Sequence, residues 1–325
     1  MNILKKSLMA GILSILTASL GAFDFSVSAP KNVPFGASEE YGIYRDLNVK
    51  FGIPYKIADE QVLCFDICYP KTEAPKGGFP LIVYFHGGGW SGGERFSGYG
   101  FFNDEVRHYN ERGIAVATVT YRFSRWGKPR RDMSVCVVDA MDALRYITKY
   151  AKNLEVNPSK IGVYGHSAGG HLTFMVALAD QSVFEGDKSL KNVKYKIACA
   201  VPQSGPTSFV DDRADAEGSF MKNKNQMRQP LAGRFDDVEL LKRLSPAEYI
   251  KKDCPPMLIL QGEKDTIVPQ NAALFMMQRA REVGASGVEC VISEGAQHSF
   301  ENARKPDNRE LADIRRAFFI KHLAK

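Results

Sequence analysis

The sequence predicts an α/β fold: one domain built on a mostly parallel sheet covered on both faces by helices. Short apolar runs recur along the chain and alternate with stretches patterned at helical spacing. After the first two runs, each is separated from the next by enough chain for a crossover helix, the connection that parallel strands buried on both faces require. The composition, 44% hydrophobic and 25% charged over 325 residues, is that of a globular chain able to bury a sizeable core.

The N-terminus opens with Lys5-Lys6, an apolar run from Leu8 to Leu20, and the small residues Gly21 and Ala22. That pattern predicts a signal peptide over 1–21 and a secreted or periplasmic protein. A membrane anchor is the other reading. The run is shorter than the roughly 20 residues a span needs, and Ser14, Thr17 and Ser19 dilute it, so no stable anchor is expected after cleavage. The first cysteine is Cys64, which argues against a lipoprotein. Ala29–Tyr44 is rich in Pro, Gly and Ser, and residues 22–46 are expected to form an exposed lead-in. The net charge is +6, and Lys5 and Lys6 carry two of those charges, so nucleic acid is not an expected partner.

A single domain is expected over 47–325. Its strand candidates are Val62–Tyr69, Leu81–Phe85, Ile114–Tyr121, Ile161–Tyr164, Ile197–Pro202, Met257–Leu260 and Val288–Ile292. Val135–Tyr150 is an amphipathic helix, with Val138, Met141, Leu144, Ile147 and Tyr150 at three-to-four spacing, and Ala168–Ala179, Gln270–Val283 and Leu311–Leu323 follow the same pattern. Residues 206–250 depart from the rhythm: polar, poor in strand signal, with a basic patch at Lys222, Lys224 and Arg228. They read as an inserted cap or as a decorated loop with a helix or two; loops this long are uncommon without a role. Six cysteines permit disulfides in an exported protein. Cys64, Cys68 and Cys199 stand in apolar runs, so buried free thiols are the commoner outcome and no pairing is assigned.

Gly165-His166-Ser167-Ala168-Gly169 lies between a strand and a helix candidate. A tight strand-to-helix turn needs small flanking residues and leaves its serine projecting above the sheet edge, the context of a nucleophile. The N–H of Ala168 then lies at the helix N-terminus, where positive partial charge meets an oxyanion. Upstream, strand Leu81–Phe85 runs into His86-Gly87-Gly88-Gly89-Trp90, whose glycines let backbone N–H groups approach a reacting oxygen. Gly88 and Gly89, with Gly87 in reserve, would complete an oxyanion hole with Ala168; single donors of this kind are worth about 2.7–4 kcal/mol in the transition state. The spaced phosphate-binding glycine patterns are absent.

A serine nucleophile needs a base and a group to orient it. Asp265 follows the strand Met257–Leu260 in the loop Gln261-Gly262-Glu263-Lys264-Asp265, with Glu263 the rival acid. His298 follows the strand Val288–Ile292 and is the base. Three residues after three strand ends converge on one sheet edge. Taken singly, Asp265 also reads as a helix N-cap and His298 as a surface residue. His166 and His171 lack the i, i+4 spacing of a helical ligand pair; His86 is expected to brace the glycine loop and His166 to pack behind the turn. No metal and no cofactor are expected. Trp90 walls a small acyl pocket, or stacks on a sugar or aromatic group, or is a packed core residue.

His-Gly-Gly-Gly-Trp after a strand, then Gly-His-Ser-Ala-Gly-Gly-His, then Gly-x-x-Asp and a late His-x-Phe, resemble exported bacterial esterases of the α/β-hydrolase superfamily, near the hormone-sensitive-lipase-like enzymes and the feruloyl and acetyl-xylan esterases. The resemblance runs from about Leu47 to the C-terminus. It implies an α/β-hydrolase fold, Ser167 as nucleophile, Asp265 as orienter, His298 as base, and Gly88, Gly89 and Ala168 as oxyanion donors. Ser299 departs from the glycine that many relatives carry there. The implied activity is hydrolysis of small acyl esters, acetyl or feruloyl, on a small molecule or a polysaccharide. Two other readings remain open at this point: a prolyl-oligopeptidase-type peptidase, for whose gating domain the chain has no room, and a non-catalytic binding module, whose mark would be a missing triad member. Oligomeric state is left open.

Overall fold

The computed structural model describes residues 47–95, 104–216, 218–300 and 307–324. The expected signal peptide and lead-in lie outside the described residues. The strands are β1 (Asn48–Ala58), β2 (Gln61–Tyr69), β3 (Phe79–Phe85), β4 (Ala115–Val119), β5 (Val156–His166), β6 (Cys199–Gln203), β7 (Met257–Gly262) and β8 (Val288–Ser293). They form one sheet in the order β1-β2-β4-β3-β5-β6-β7-β8. β1 and β2 pair antiparallel, β2 pairs antiparallel with β4, and every remaining pairing is parallel. The helices are α1 (Val106–Asn110), α2 (Ser134–Lys149), α3 (Ala168–Leu178), α4 (Lys224–Met227), α5 (Val238–Arg243), α6 (Asn271–Val283) and α7 (Asp307–Leu323).

Period-two alternation sends neighbouring residues of one strand to opposite faces. Leu81, Val83 and Phe85 of β3 join one core with residues of α2, α3 and α6; Ile82 and Tyr84 join the other with residues of α1 and α7. All seven residues of β3 are therefore buried, which is why this strand reads as a continuous apolar run.

β1 has no counterpart among the strands expected from sequence. Gly52 and Pro54 interrupt its pattern, and its pairing with β2 shifts register between Lys50 and Ile53 and again between Pro54 and Lys56. Such bulges erase a clean alternation while the strand persists. A two-residue turn with Asp59 and Glu60 at positive φ connects it to β2. β1 is tied to α2 by charge: Lys56 Nζ lies 2.8 Å from Asp139 and 2.7 Å from Asp142, all three buried, while Arg122 and Arg145 serve the remaining carboxylate oxygens at 2.8 Å each.

Residues 206–250 fold down as two short helices, α4 and α5, and two single 3-10 turns, Asp212–Ala214 and Pro246–Glu248. Asn223 and Asp237 cap α4 and α5 through their side chains. Met227, Leu231, Leu240, Leu244 and Ile250 enter the first of the two cores, so the segment is packed on the domain. All six cysteines are free thiols.

Candidate active site

β5 delivers the chain to Ser167, which has φ 58° and ψ −120° and is followed at once by α3. A residue with a side chain holds such a conformation only when its surroundings impose it. The Ser167 N–H donates to the Gln203 carbonyl at the end of β6 (2.9 Å), and its own carbonyl accepts from His171 N–H (3.0 Å). A Cβ on Gly169 would fall onto the Phe85 carbonyl at the end of β3. Only glycine lets α3 start this close to the sheet, and that proximity turns Ser167 outward.

The sheet brings three of the expected residues together. His298 Nε2 is 2.9 Å from Ser167 Oγ, and His298 Nδ1 donates to Asp265 Oδ2 at 2.8 Å. Asp265 is buried, and its other oxygen accepts from the N–H groups of Ile267 and Val268, each at 2.9 Å. Gln261 Nε2 donates to Oδ2 from β7 at 3.1 Å. Glu263, the rival acid, points elsewhere: its carboxylate accepts from Gly295 N–H at 2.9 Å, joining the loop after β7 to the loop after β8.

The glycine loop runs beside the serine. A Cβ on Gly87 would sit 3.5 Å from Ser167 Cβ. Gly88 has φ +116°, where a side chain would also strike the Gly92 carbonyl, and its own carbonyl accepts from the N–H groups of Ser91 (3.1 Å) and Gly92 (3.0 Å). Gly89 follows at φ +58°, and the Phe220 ring of the 206–250 segment approaches within 4.0 Å of where its Cβ would be. Ala168 opens α3, so its N–H belongs to the helical turn that has no intrahelical acceptor.

Three buried histidines surround the serine, and burial holds each down to about 4, so they are neutral at pH 7. His86 stacks on Tyr121 with centroids 4.2 Å apart and bonds to the Gly87 carbonyl at 2.7 Å, bracing the glycine loop from behind. His166 donates from Nε2 to the backbone carbonyl of His298 at 2.7 Å, fixing the loop that carries the base. The sequence suggested only packing for His166; this bond joins residues 132 apart, and no local pattern signals it.

Trp90 corrects an expectation. Its indole is 2% exposed, edge-on to His171 and Phe209, and so presents almost no surface to a substrate. Trp90 Nε1 donates to His171 Nδ1 at 3.1 Å, and His171 Nε2 donates to the Leu244 carbonyl at 2.8 Å. A wide ring with one N–H finds its partner inside the core. Trp90 thereby links the glycine loop, α3 and the 206–250 segment.

Among the described residues no cluster of His, Cys, Asp and Glu has metal-binding geometry, and no helix is long and apolar enough to cross a membrane. What the arrangement can do is nucleophilic: a serine oxygen with a base on it, an acid holding the base in one tautomer, and backbone N–H groups alongside.

Comparisons with known proteins place the fold and the family. A family model described as BD-FAE matches residues 65–279. Esterase LipQ of Mycobacterium tuberculosis is 27% identical over 269 residues, covering 80% of this chain and 59% of that protein. The probable carboxylic ester hydrolase LipM of the same organism is 25% identical, covering 69% of this chain and 50% of that protein. The chain thus spans between half and three-fifths of the length of these two relatives. Among solved structures, a thermophilic esterase from Thermogutta terrifontis, Est2, superposes with a TM-score of 0.67 at 25% identity, covering 86% of this chain and 93% of that one. Its butyrate-bound form gives a TM-score of 0.68.

Proposed function

Since the chain belongs to the BD-FAE family and has the α/β-hydrolase fold, we propose that it is a carboxylic ester hydrolase acting by two-step acyl transfer. The observation that carries this is the unbroken hydrogen-bond chain Asp265–His298–Ser167, ending on a serine whose backbone is held at φ 58°. His298 Nε2 takes the proton as Ser167 Oγ attacks the ester carbonyl. The tetrahedral oxyanion is held by the N–H groups of Gly88, Gly89 and Ala168. His298 then gives the proton to the leaving alcohol, and water, deprotonated by the same nitrogen, releases the acid.

The favoured substrates are small acyl esters, acetyl or feruloyl, on carbohydrate, met outside the cytoplasm after removal of the leader at 1–21. The motif resemblance and the N-terminal pattern support this reading. The test is hydrolysis of p-nitrophenyl acetate, butyrate and decanoate and of methyl ferulate by the full chain beside Ser167→Ala. Short esters and the ferulate should be cleaved best, and the substitution should abolish turnover. Activity that survives Ser167→Ala would remove the nucleophile, and a preference for decanoate would remove the carbohydrate-ester reading.

A further inference from the structure

The chain has two tryptophans. Trp90 is buried, and Trp126 is 40% exposed near the base of a small loop. Reciprocal backbone bonds between Arg125 and Arg131, 2.7 and 2.9 Å long, close that loop. Two residues before Trp126, Ser124 donates its backbone N–H (2.7 Å) and its hydroxyl (3.0 Å) to the Trp90 carbonyl, next to the glycine loop. On its other side the indole rests against Gly233, where a Cβ would overlap the ring, and Met133 N–H donates to the Pro230 carbonyl at 2.7 Å. Loop 125–131 and the 206–250 segment therefore meet as one ridge, anchored beside the site.

The ridge is positively charged, and its charge is not answered. The Arg130 guanidinium lies 4.1 Å from the Trp126 ring centroid and that of Arg228 lies 5.4 Å away, so one indole holds two cations in place. Arg125 and Lys128 are exposed on the same loop. Among the described residues none of these four has a carboxylate partner. Their neighbours differ: Arg131 pairs with Asp59, and Arg234 with Asp132 and Asp237. Unpaired guanidinium groups fixed in position suit carboxylates, which they bind through paired N–H donors. Three guanidinium groups and the Lys128 ammonium in one patch offer more donors than a single small anion can use, and match several carboxylates carried on one chain. The patch is compact and lacks the long basic track that nucleic acid engages.

We propose that Trp126, Arg130 and Arg228, with Arg125 and Lys128, form a subsite for a carboxylate-bearing polysaccharide, a chain containing uronate residues. That the bound chain presents its ester to Ser167 rests on the esterase reading; the binding itself does not.

The experiment measures binding without turnover. Tryptophan fluorescence of full-length Ser167→Ala is titrated with sodium polygalacturonate, with a neutral arabinoxylan, and with a single-stranded DNA oligonucleotide of equal charge. Only Trp126 is exposed enough to report. Polygalacturonate should change the emission saturably, and 0.5 M NaCl should weaken binding at least tenfold. Arg130→Glu/Arg228→Glu, shown folded by an unchanged thermal midpoint, should abolish it, and Arg130→Lys/Arg228→Lys should keep part of it. Equal responses to polygalacturonate and arabinoxylan, no saturable response, or tighter binding of the oligonucleotide would each overturn the proposal. All three would leave cleavage of p-nitrophenyl acetate as a separate matter.

Discussion

At the scale of single residues, the hydrogen bonds around Asp265 separate its role in folding from its role in orientation. In Asp265→Asn the amide oxygen can still accept from Ile267 and Val268, which keeps two bonds of the turn, while the Gln261 amide loses its acceptor. The amide NH2 would then face His298 Nδ1, which must accept, and Nε2 would carry the proton instead of receiving one. Turnover of p-nitrophenyl acetate should fall by about 10^3–10^4-fold, with KM little altered. A loss below tenfold would mean that Asp265 does not orient the base. Ser167, Asp265 and His298 were legible in the sequence because each directly follows an apolar run, and a strand end followed by a short loop leaves little freedom of placement. Glu263 stands two residues from Asp265 and was the less favoured acid because it lies closer to the strand end; the turn agrees, with Gly295 N–H engaging the Glu263 carboxylate away from the base. Trp90 and His166 were not legible as they stand. Their partners, His171 and the His298 carbonyl, are 81 and 132 residues away.

Among elements, the attachment of β1 to α2 through Lys56 has a measurable size. Removing one member of a buried ion pair leaves the other uncompensated and typically costs 3–5 kcal/mol. In Lys56→Ala, Arg122 still serves Asp139 and Arg145 still serves Asp142, which points to the lower end, about 3 kcal/mol, in urea unfolding at pH 7. A change below about 1 kcal/mol would show that the two arginines alone satisfy the carboxylates. β1 itself escaped the sequence because its two register shifts scramble the alternation on which strand recognition depends. The 206–250 segment matches the decorated-loop reading with a helix or two, but the positions of its elements were not legible for another reason. Its short elements hold together through side-chain caps and a few apolar anchors such as Met227 and Leu240, spaced too irregularly for any period to register.

For the whole molecule, the three neutral histidines make stability depend on pH. Burial holds His86, His166 and His171 down to about 4, against an ordinary value near 6.5. Unfolding frees them to bind protons, so their contribution is intact above about pH 6.5 and is lost as pH falls towards about 4. With three such groups the slope reaches at most about 4 kcal/mol per pH unit. Chemical unfolding between pH 7.5 and 4.5 should show this decline; a flat profile down to pH 5 would mean that the imidazoles are not held neutral. The parallel sheet was legible from its apolar runs, whereas its strand order was not, because order is set by which crossovers pack and each run alone fits several neighbours. That order has a kinetic consequence. Ser167 leaves the sheet at β5, Asp265 at β7 and His298 at β8, so the hydrogen-bond chain closes only when the last strand docks, across a sequence separation of 131. Contacts so distant in sequence are slow to form. On dilution from denaturant, the far-ultraviolet helical signal should therefore recover before esterase activity does, and the lag between them times the arrival of β8.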